Sequence, residues 1–249
     1  KVKDKIILIT GSTQGIGYAL ARGFCQAEAK VIINGRDEAK VNNVIEELKT
    51  SNFNAVGSAF DVTKKEQVEK SIEKIESEIG PIDVLVNNAG IHRRAPLENL
   101  SIEDWNAVID VDLTSVFIVT QIVARHMIKR SRGKIINITS LNSELARPTI
   151  GNYCAAKGGL KMLTKAMAVE WGKFNIQTNA IGPGYMLTEL TKTLAKDQEF
   201  DNWVKKSVPL ARWGAPEELI GAAIFLASGA SSYVNGHTIY VDGGWQASL

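Results

Sequence analysis

Short apolar runs that alternate with longer amphipathic stretches constrain the fold of this chain more than any other feature. Seven runs predict strands, at residues 6–9, 31–33, 55–60, 84–86, 135–138, 176–181 and 238–241. The stretches between them predict helices, at residues 15–28, 38–50, 64–79, 102–130, 152–173 and 216–228. Strands that are apolar along their whole length are typical of a parallel sheet covered on both faces. The pattern predicts an α/β fold, a Rossmann-type doubly wound parallel sheet of seven strands with helices on both faces.

Nothing in the sequence divides the chain into separate domains. Its 249 residues suit one α/β domain, and no Pro/Gly/Ser-rich linker, charge run or internal repeat interrupts them. We therefore expect residues 1–249 to form a single domain. Residues 183–214 are the only long irregular stretch, and a loop of that length commonly acts as a lid over a substrate.

Composition argues against several classes of partner. The formal net charge is +2 and no basic tract could follow a phosphate backbone, so nucleic acid is not expected. No apolar run reaches about 18 residues, which argues against a membrane span. Cys25 and Cys154 lack the spacing of a disulfide or a metal site. No signal peptide precedes the first strand, so a reducing cytoplasm is the expected location.

A glycine-rich turn joins the first predicted strand to the first helix. Glycines allow a tight turn and a close approach of the backbone to a pyrophosphate, and the helix N-terminus offers free N–H groups. The spacing is Gly-x-x-x-Gly-x-Gly, and the Lys-Ser/Thr of a nucleotide triphosphatase loop is missing. The turn predicts a dinucleotide site formed by Gly11, Ser12, Thr13, Gln14, Gly15, Ile16 and Gly17.

The end of the second strand indicates which dinucleotide is bound. An acidic residue at this place binds the ribose 2′-hydroxyl of NAD, but here Gly35 is followed by Arg36. A guanidinium attracts a 2′-phosphate, which a carboxylate would repel. Asp37 stands where the next helix begins and is interpreted as its N-cap. NADP is therefore expected as the cofactor, with NAD less favoured.

Three polar residues suggest proton-transfer chemistry. Tyr153 and Lys157 are four residues apart and share one helix face, and Ser140 follows the fifth strand. A tyrosine pKa of about 10 is too high for a good base near neutrality, but a nearby ammonium lowers it. Ser140 could hydrogen-bond a substrate oxygen whose charge changes during the reaction.

From about Lys5 to Trp245 the sequence resembles the classical short-chain dehydrogenase/reductase family. The resemblance rests on Thr10-Gly11-x-x-x-Gly15-x-Gly17, Asp61-Val62, Asn87-Asn88-Ala89-Gly90, Ser140, Tyr153-x-x-x-Lys157 and Pro183-Gly184. It implies one dinucleotide-binding and catalytic domain and, commonly, a homotetramer. It also implies that Tyr153 is the general acid/base, Ser140 its oxyanion partner and Lys157 the ligand of the nicotinamide ribose. Further cofactor contacts are implied for Asp61, Val62, Asn88, Ala89, Gly90, Pro183, Gly184 and Thr188.

One position departs from the family pattern. The family usually has Asn where this chain has Asp112, before Leu113-Thr114. The resemblance implies that the main-chain carbonyl of this residue holds a water of a proton relay, so Asp112 belongs to the expected catalytic set. The substitution removes an amide donor and brings a carboxylate near Lys157, which should alter the pH dependence.

Loops at the strand ends indicate a substrate. Segments 90–96, 143–147 and 211–214 resemble gluconate 5-dehydrogenases, which interconvert gluconate and 5-ketogluconate. Arginines suit a sugar-acid carboxylate and polar side chains suit its hydroxyls, which gives the expected substrate residues Arg93, Arg94, Asn142, Glu144 and Arg147, with Ser140 and Tyr153. His92 is interpreted as structural or at the rim. The alternatives are a dehydrogenase of another sugar acid or polyol, a 3-oxoacyl-[acyl-carrier-protein] reductase and a non-catalytic NADP-binding interaction protein.

Overall fold

The computed structural model of the chain describes residues 1–189 and 191–248. Seven strands form one sheet, and they are β1 (Ile6–Ile9), β2 (Lys30–Gly35), β3 (Ala55–Ala59), β4 (Val84–Asn87), β5 (Gly133–Ile138), β6 (Ile176–Pro183) and β7 (Thr238–Val241). All neighbouring strands are parallel, in the order β3-β2-β1-β4-β5-β6-β7. The predicted seven-stranded, doubly wound parallel sheet is confirmed.

Helices connect the strands. They are α1 (Gly15–Gln26), α2 (Glu38–Thr50), α3 (Lys65–Lys74), α4 (Ile102–Ile109), α5 (Ser115–Lys129), α6 (Gly151–Trp171), α7 (Lys192–Lys196), α8 (Gln198–Ser207) and α9 (Ile220–Ala227). Asp37 caps α2 as expected, because its carboxylate accepts a hydrogen bond of 3.2 Å from the Lys40 amide. Ser101 caps α4 in the same way, through a bond of 3.1 Å from the Asp104 amide.

The two faces of the sheet carry separate apolar cores. Successive side chains of β1 point in opposite directions, so Ile7 and Ile9 enter one core while Ile6 and Leu8 enter the other. The first core contains residues of α1, α2 and α9, and the second contains residues of α3 and α5. Burial on both faces explains why the strands are continuously apolar in the sequence.

The strand order reverses at β1, which has β2 on one side and β4 on the other. Connections from β1 and β4 therefore leave the sheet in opposite directions and open a crevice at the carboxyl ends of the strands. Ligands of open α/β sheets bind in this place. The glycine-rich loop after β1, residues 11–17, lies beside the segment after β4. We call it the phosphate loop, because a pyrophosphate is expected there.

A five-residue π-helical turn at Asp110–Thr114 joins α4 and α5 within the stretch that was predicted as one helix. Residues 102–129 are long and apolar enough to cross a membrane by length and composition alone, with a mean hydropathy of 1.8 over an 18-residue window. The expectation concerned an unbroken apolar run of about 18 residues, which these residues do not contain because Asp110, Asp112 and several other polar side chains interrupt them. Half of that window is buried inside the protein, as in a core helix, so the test is weak evidence for a span.

The prediction that segment 183–214 is irregular is wrong, because the segment contains α7 and α8. Asp197 caps α8, accepting hydrogen bonds from the Glu199 and Phe200 amides at 3.0 and 3.1 Å. Helix α8 is stabilised by aromatic contacts of Phe200 and Trp203 with Tyr185. The centre of the Tyr185 ring is 5.7 Å from the centre of the Phe200 ring and 5.7 Å from the centre of the Trp203 ring. These partners are distant in sequence, so the local pattern gave no sign of them. Residue 190 of the expected lid lies outside the described residues.

Candidate active site

A cleft of about 390 Å³ opens at the carboxyl ends of the strands. Most of the residues expected at a cofactor or substrate site line it, namely Gly11, Thr13, Gln14, Gly15, Ile16, Arg36, Asp61, Val62, Asn88, Ala89, Gly90, Arg94, Asp112, Ser140, Asn142, Arg147, Tyr153, Lys157, Pro183, Gly184 and Thr188. Ser12, Gly17, Arg93 and Glu144 do not belong to this lining. The sequence motifs therefore converge on one cavity although they come from six different strand ends.

Close backbone packing shapes the phosphate loop. Gly11 has φ +62°, and a Cβ there would lie 2.8 Å from Ala89 Cα, so only glycine fits without displacing the segment after β4. Asn88 Nδ2 ties the two segments together, donating hydrogen bonds of 2.9 Å to the carbonyls of Thr10 and Gly11. A Cβ on Gly17 would lie 2.4 Å from that same Nδ2 atom.

Gly17 and Ser12 therefore stabilise the loop by packing and hydrogen bonds, although they do not line the cleft. Ser12 is fully buried, where its hydroxyl donates to the Ile9 carbonyl at 2.8 Å and accepts from the Asn34 amide at 2.9 Å. The loop ends at Gln14, whose side chain makes no capping bond, so the first N–H groups of α1 face the cleft without a side-chain partner from the N-cap. This arrangement fits a pyrophosphate.

Arg36 and Asp61 lie at the far end of the cleft from the catalytic residues. Arg36 is exposed and lines the cavity, and no carboxylate occupies position 35. The Asp61 carboxylate is held by the amide and hydroxyl of Thr63, at 2.9 and 2.7 Å. A Cβ on Gly35 would lie 2.9 Å from Thr13 Cγ2, so an acid at that position would press on the phosphate loop. The pocket therefore fits a nucleotide whose ribose carries a 2′-phosphate.

The catalytic candidates come together at the other end. Tyr153 and Lys157 occupy the first turns of α6, and Lys157 Nζ lies 5.5 Å from the centre of the Tyr153 ring. Lys157 is 4% exposed and donates a hydrogen bond of 3.1 Å to the carbonyl of Ile138 at the end of β5. Ser140 follows β5, where its hydroxyl accepts from the Asn142 amide at 3.1 Å. Sheet and helix therefore fix the relative positions of the three side chains.

Asp112 lies under this group within the π-helical turn. Its side chain has no solvent exposure, and Oδ2 is 3.2 Å from Lys157 Nζ. Oδ1 accepts a hydrogen bond of 2.8 Å from the Ile91 amide. A Cβ on Gly90 would lie 2.9 Å from Oδ2, so the glycine after β4 makes room for the carboxylate. The expected proximity of Asp112 to Lys157 takes the form of a buried ion pair.

The electrostatics of Tyr153 differ from the expectation. Burial raises the pKa of its phenol, Lys157 and the Ser140 hydroxyl lower it, and the charge of Asp112 raises it again, so that the net direction is upward. The ring itself stays partly exposed to the cleft. Burial lowers the pKa of Lys157, but Asp112 and Tyr153 together raise it above its ordinary value. Lys157 lowers the pKa of Tyr153 as predicted, but burial and the charge of Asp112 together outweigh it, so the net direction is upward.

Positive charge collects beside Tyr153 on the side away from the phosphate loop. Arg94 and Arg147 both line the cleft, and the positive charge of each disfavours protonation of His92. Arg147 also lies over the ring of Phe200, with its guanidinium carbon 5.1 Å from the ring centre. Burial and these cations lower the pKa of His92 to about 4. This end of the cleft suits an anionic group on a ligand.

Two expected substrate residues point elsewhere. Arg93 faces Asp104, with Nε 3.6 Å from Oδ1, while its carbonyl accepts a hydrogen bond of 3.0 Å from Asn152 Nδ2. Glu144 pairs with Lys161 and accepts a hydrogen bond of 2.7 Å from the Tyr240 hydroxyl. Neighbouring side chains of an extended loop point in different directions, so Arg94 enters the cleft and Arg93 does not.

Several lining residues were not predicted. His92 packs on Tyr153, and Tyr185, Met186, Glu189 and Leu194 border the cleft from the segment after β6. Tyr185 could have been found from the sequence, because it directly follows Pro183-Gly184. Among residues 1–189 and 191–248, no group of three or more His, Cys, Asp or Glu side chains could hold a metal ion.

Comparison with known proteins identifies the family. The sequence model of the family described as enoyl-(acyl carrier protein) reductase matches residues 11–246. The chain belongs to the short-chain dehydrogenase/reductase family. It is therefore an oxidoreductase that acts on CH–OH groups with a nicotinamide cofactor, and the resemblance seen in its motifs is confirmed.

Similar proteins act on sugar acids. The chain is 52% identical to a 5-keto-D-gluconate 5-reductase of Escherichia coli K12 over 240 residues, which are 96% of this chain and 94% of that protein. It is 49% identical to a 2-dehydro-3-deoxy-D-gluconate 5-dehydrogenase of Formosa agariphila over 250 residues, which are 100% of this chain and 95% of that protein. The crystal structure of a gluconate 5-dehydrogenase from Burkholderia cenocepacia, in complex with NADP and tartrate, superposes with a TM-score of 0.98 at 49% identity, covering 100% of this chain and 98% of that one.

Proposed function

We propose that this enzyme uses NADP(H) to interconvert a secondary alcohol and a ketone on a sugar acid, with D-gluconate and 5-keto-D-gluconate as the substrate pair. The observation that carries the proposal is the position of Arg94 and Arg147, which line the same cleft as Tyr153 and Lys157. A cavity with a proton donor at one point and two guanidiniums beside it suits a substrate with a hydroxyl or keto carbon and a distant carboxylate. The names of the similar proteins support this substrate class.

Residues of the cleft fit the cofactor along its length. The free N–H groups at the start of α1 and the backbone of Gly11 and Gly15 would hold the pyrophosphate. Arg36 would hold the 2′-phosphate, and NADP in the Burkholderia cenocepacia complex supports that choice. When bound, NADPH supplies the hydride for reduction of the keto carbon.

The protein groups handle the substrate oxygen and its proton. In reduction, Tyr153 would donate its hydroxyl proton to the carbonyl oxygen as negative charge develops there. Ser140 would hydrogen-bond the same oxygen, which fixes the carbonyl in place and stabilises its charge. Lys157 would bind the nicotinamide ribose and carry positive charge beside the phenolate that remains. Oxidation of the alcohol follows the same path in reverse.

Arg94 and Arg147 would bind the carboxylate at the opposite end of the substrate. Both lie near His92 and Tyr185, whose titrations they influence, so the four side chains form one wall. Asn142 would bind a hydroxyl of the substrate. Arg147 also contacts Phe200 of α8, so we infer that segment 183–214 closes over the substrate as a lid.

One assay tests the proposed function. Purified enzyme is incubated with NADPH or NADH and with 5-ketogluconate, 2-dehydro-3-deoxygluconate or an uncharged ketose of similar length. We expect the highest kcat/KM for NADPH with 5-ketogluconate, with product analysis showing reduction at C5. Turnover of the uncharged ketose that equals turnover of both acids would contradict the assignment.

A different sugar acid is the second candidate, favoured by the 49% identity to the Formosa agariphila enzyme. 2-Dehydro-3-deoxygluconate also carries a carboxylate several bonds from C5, so the same arginines would serve it. The acyl-carrier-protein substrate suggested by the family description is less suited, because a fatty chain would meet two guanidiniums. The assay above separates the two acids.

The expected assembly is a homotetramer in the cytoplasm. Exposed apolar side chains on α5 and α6 support an interface there, since Phe117, Met162 and Val169 are 45%, 60% and 84% exposed. Strand β7 is a half-exposed edge of the sheet, which offers a second surface for pairing. Sedimentation analysis of the purified protein would test the tetramer.

A further inference from the structure

The ion pair between Asp112 and Lys157 affects the protonation of Tyr153 as well as the stability of the fold, because Lys157 lies beside Tyr153. The carboxylate is fully buried and the ammonium nearly so, and their charged atoms are 3.2 Å apart. Burial raises the pKa of Asp112, while the Lys157 ammonium and the Ile91 amide, which donates to Oδ1 at 2.8 Å, favour its ionised form. In a buried setting such a pair is screened weakly, so each charge is felt by its neighbours.

Tyr153 therefore faces a neutral pair and not an isolated cation. We propose that Asp112 is a positioning residue whose negative charge offsets the positive charge of the Lys157 ammonium. Asp112 thereby holds Tyr153 as the neutral phenol, which is the form that donates a proton to a ketone. The inference rests on the proposed role of Tyr153 as the proton donor. The enzyme is therefore expected to reduce ketones over a wide pH range and to oxidise alcohols only under more alkaline conditions.

His92, Ser140 and Cys154 also lie near Tyr153, but none of them supplies a positive charge in place of that of Lys157, which Asp112 offsets. From the loop after β4, His92 contacts the ring as a neutral imidazole near neutrality. From the loop after β5, the Ser140 hydroxyl is a neutral donor, and on α6 the Cys154 thiol adds no cation.

The two arginines of the cleft also act on this region. Arg94 and Tyr153 influence each other's charge, and Arg147 acts on His92 and Tyr185. Both guanidiniums are those proposed to hold the substrate carboxylate, which would neutralise them in the complex. Burial favours the neutral phenol, and Asp112 adds to that effect by opposing the positive charge of Lys157.

The proton step balances with groups that the protein holds. In reduction the Tyr153 O–H bond breaks and a new O–H bond forms on the substrate oxygen, which leaves a phenolate beside Lys157. Because Asp112 disfavours that phenolate, the tyrosine recovers a proton from solvent and returns to the donor form. Oxidation requires the phenolate at the start, so the same carboxylate slows it at neutral pH.

A spectroscopic titration tests the proposal without any substrate. The ultraviolet absorbance of ionised tyrosine is followed with pH in the NADPH-bound wild type and in Tyr153→Phe, and their difference isolates Tyr153 from the other four tyrosines. We expect Tyr153 in the wild type to ionise at or above about pH 10, the ordinary value. In Asp112→Asn, compared with its own Tyr153→Phe double variant, we expect ionisation lower by about one pH unit or more.

Asp110→Asn is the matched control, because Asp110 is exposed, two residues away and outside the cleft. It should leave the titration unchanged. Ionisation of wild-type Tyr153 near neutral pH would overturn the proposal even if Asp112→Asn fails to fold. An unchanged titration in a folded Asp112→Asn protein would also overturn it.

Kinetics provide a second reading. In Asp112→Asn the alkaline limb of kcat/KM for reduction and the acidic limb for oxidation should both move to lower pH. A merely structural role of Asp112 would lower both rates and leave the limbs where they are, which would contradict the proposal. If the enzyme turns over no sugar acid at all, the proposed function fails, while the absorbance titration still decides the role of Asp112.

Discussion

The imidazole of His92 lies against the ring of Tyr153, with the ring centroids 4.0 Å apart and the planes tilted by 35°. Its Nδ1 atom is buried without a hydrogen-bond partner among the described residues. Burial, with Arg94, Lys157 and Arg147 nearby, lowers the pKa of His92 to about 4. A neutral imidazole at pH 7 packs against the phenol but does not transfer protons there.

This shift predicts how stability depends on pH. Between its ordinary pKa of 6.5 and about 4, the unfolded chain protonates His92 and the folded protein does not. Stability from this group is therefore complete above pH 6.5 and declines as the pH falls towards 4. We expect His92→Phe to lose less stability than the wild type between pH 7.5 and pH 5, by about 1–2 kcal/mol after allowance for partial exposure.

Urea unfolding at the two pH values measures this difference, with His237→Phe as a control because His237 is exposed and does not line the cleft. The same loss of stability in wild type and His92→Phe would show that His92 does not carry the lowered pKa.

Removing the lysine of the buried pair should destabilise the protein. Lys157→Met leaves the Asp112 carboxylate in a site without solvent exposure and without its cation. Breaking a buried pair in this way costs about 3–5 kcal/mol. The double variant Lys157→Met/Asp112→Asn removes both charges and should recover most of that loss in a denaturant titration. Equal instability of the single and double variants would show that packing, and not charge, is responsible.

Cofactor choice should depend on Arg36. The wild type is expected to prefer NADPH over NADH by at least about tenfold in kcat/KM, which corresponds to about 1.4 kcal/mol. Arg36→Ala should remove most of that preference by raising KM for NADPH while leaving NADH almost unaffected. Arg125→Ala, on the far exposed part of α5, is the control. A wild type that prefers NADH would refute the assignment of Arg36.

Adjacent arginines provide a test of the substrate end. Arg94→Ala or Arg147→Ala removes a charge-assisted bond worth about 1.5–3 kcal/mol, or roughly 10- to 150-fold in kcat/KM for a sugar acid. The loss should nearly vanish for an uncharged ketose. Arg93→Ala is the matched control, since that side chain faces Asp104 outside the cleft. Equal losses for charged and uncharged substrates would assign Arg94 and Arg147 to structure.

Local spacing, combined with the order of the family motifs, predicted a glycine turn between β1 and α1 and the proximity of Ser140, Tyr153 and Lys157 in one cleft. A strand, a glycine turn and a helix place free N–H groups in one position, and a four-residue spacing on a helix places two side chains on one face. The parallel sheet then brings strand ends together, which is why separate motifs meet in one cleft.

Features that depend on distant contacts were not predictable in the same way. Helix α8 is stabilised by an aromatic cluster around Tyr185 and Trp245, which no local pattern reveals. Arg93 and Arg94 have the same chemistry but opposite surroundings, because the loop turns one of them towards Asp104. The raised pKa of Tyr153 results first from burial and then from the carboxylate of Asp112, 41 positions earlier in the chain, and neither can be seen in the local sequence pattern.

The most direct test of the account is the NADPH-dependent reduction of 5-ketogluconate by the wild type and by Tyr153→Phe, with bound NADPH measured by fluorescence in both. Tyr233→Phe is the control, because Tyr233 is fully exposed. We predict that Tyr153→Phe binds NADPH normally but loses at least about 10²-fold in kcat, while Tyr233→Phe retains the wild-type rate. Near-normal turnover by Tyr153→Phe would contradict the assignment of this tyrosine as the proton donor.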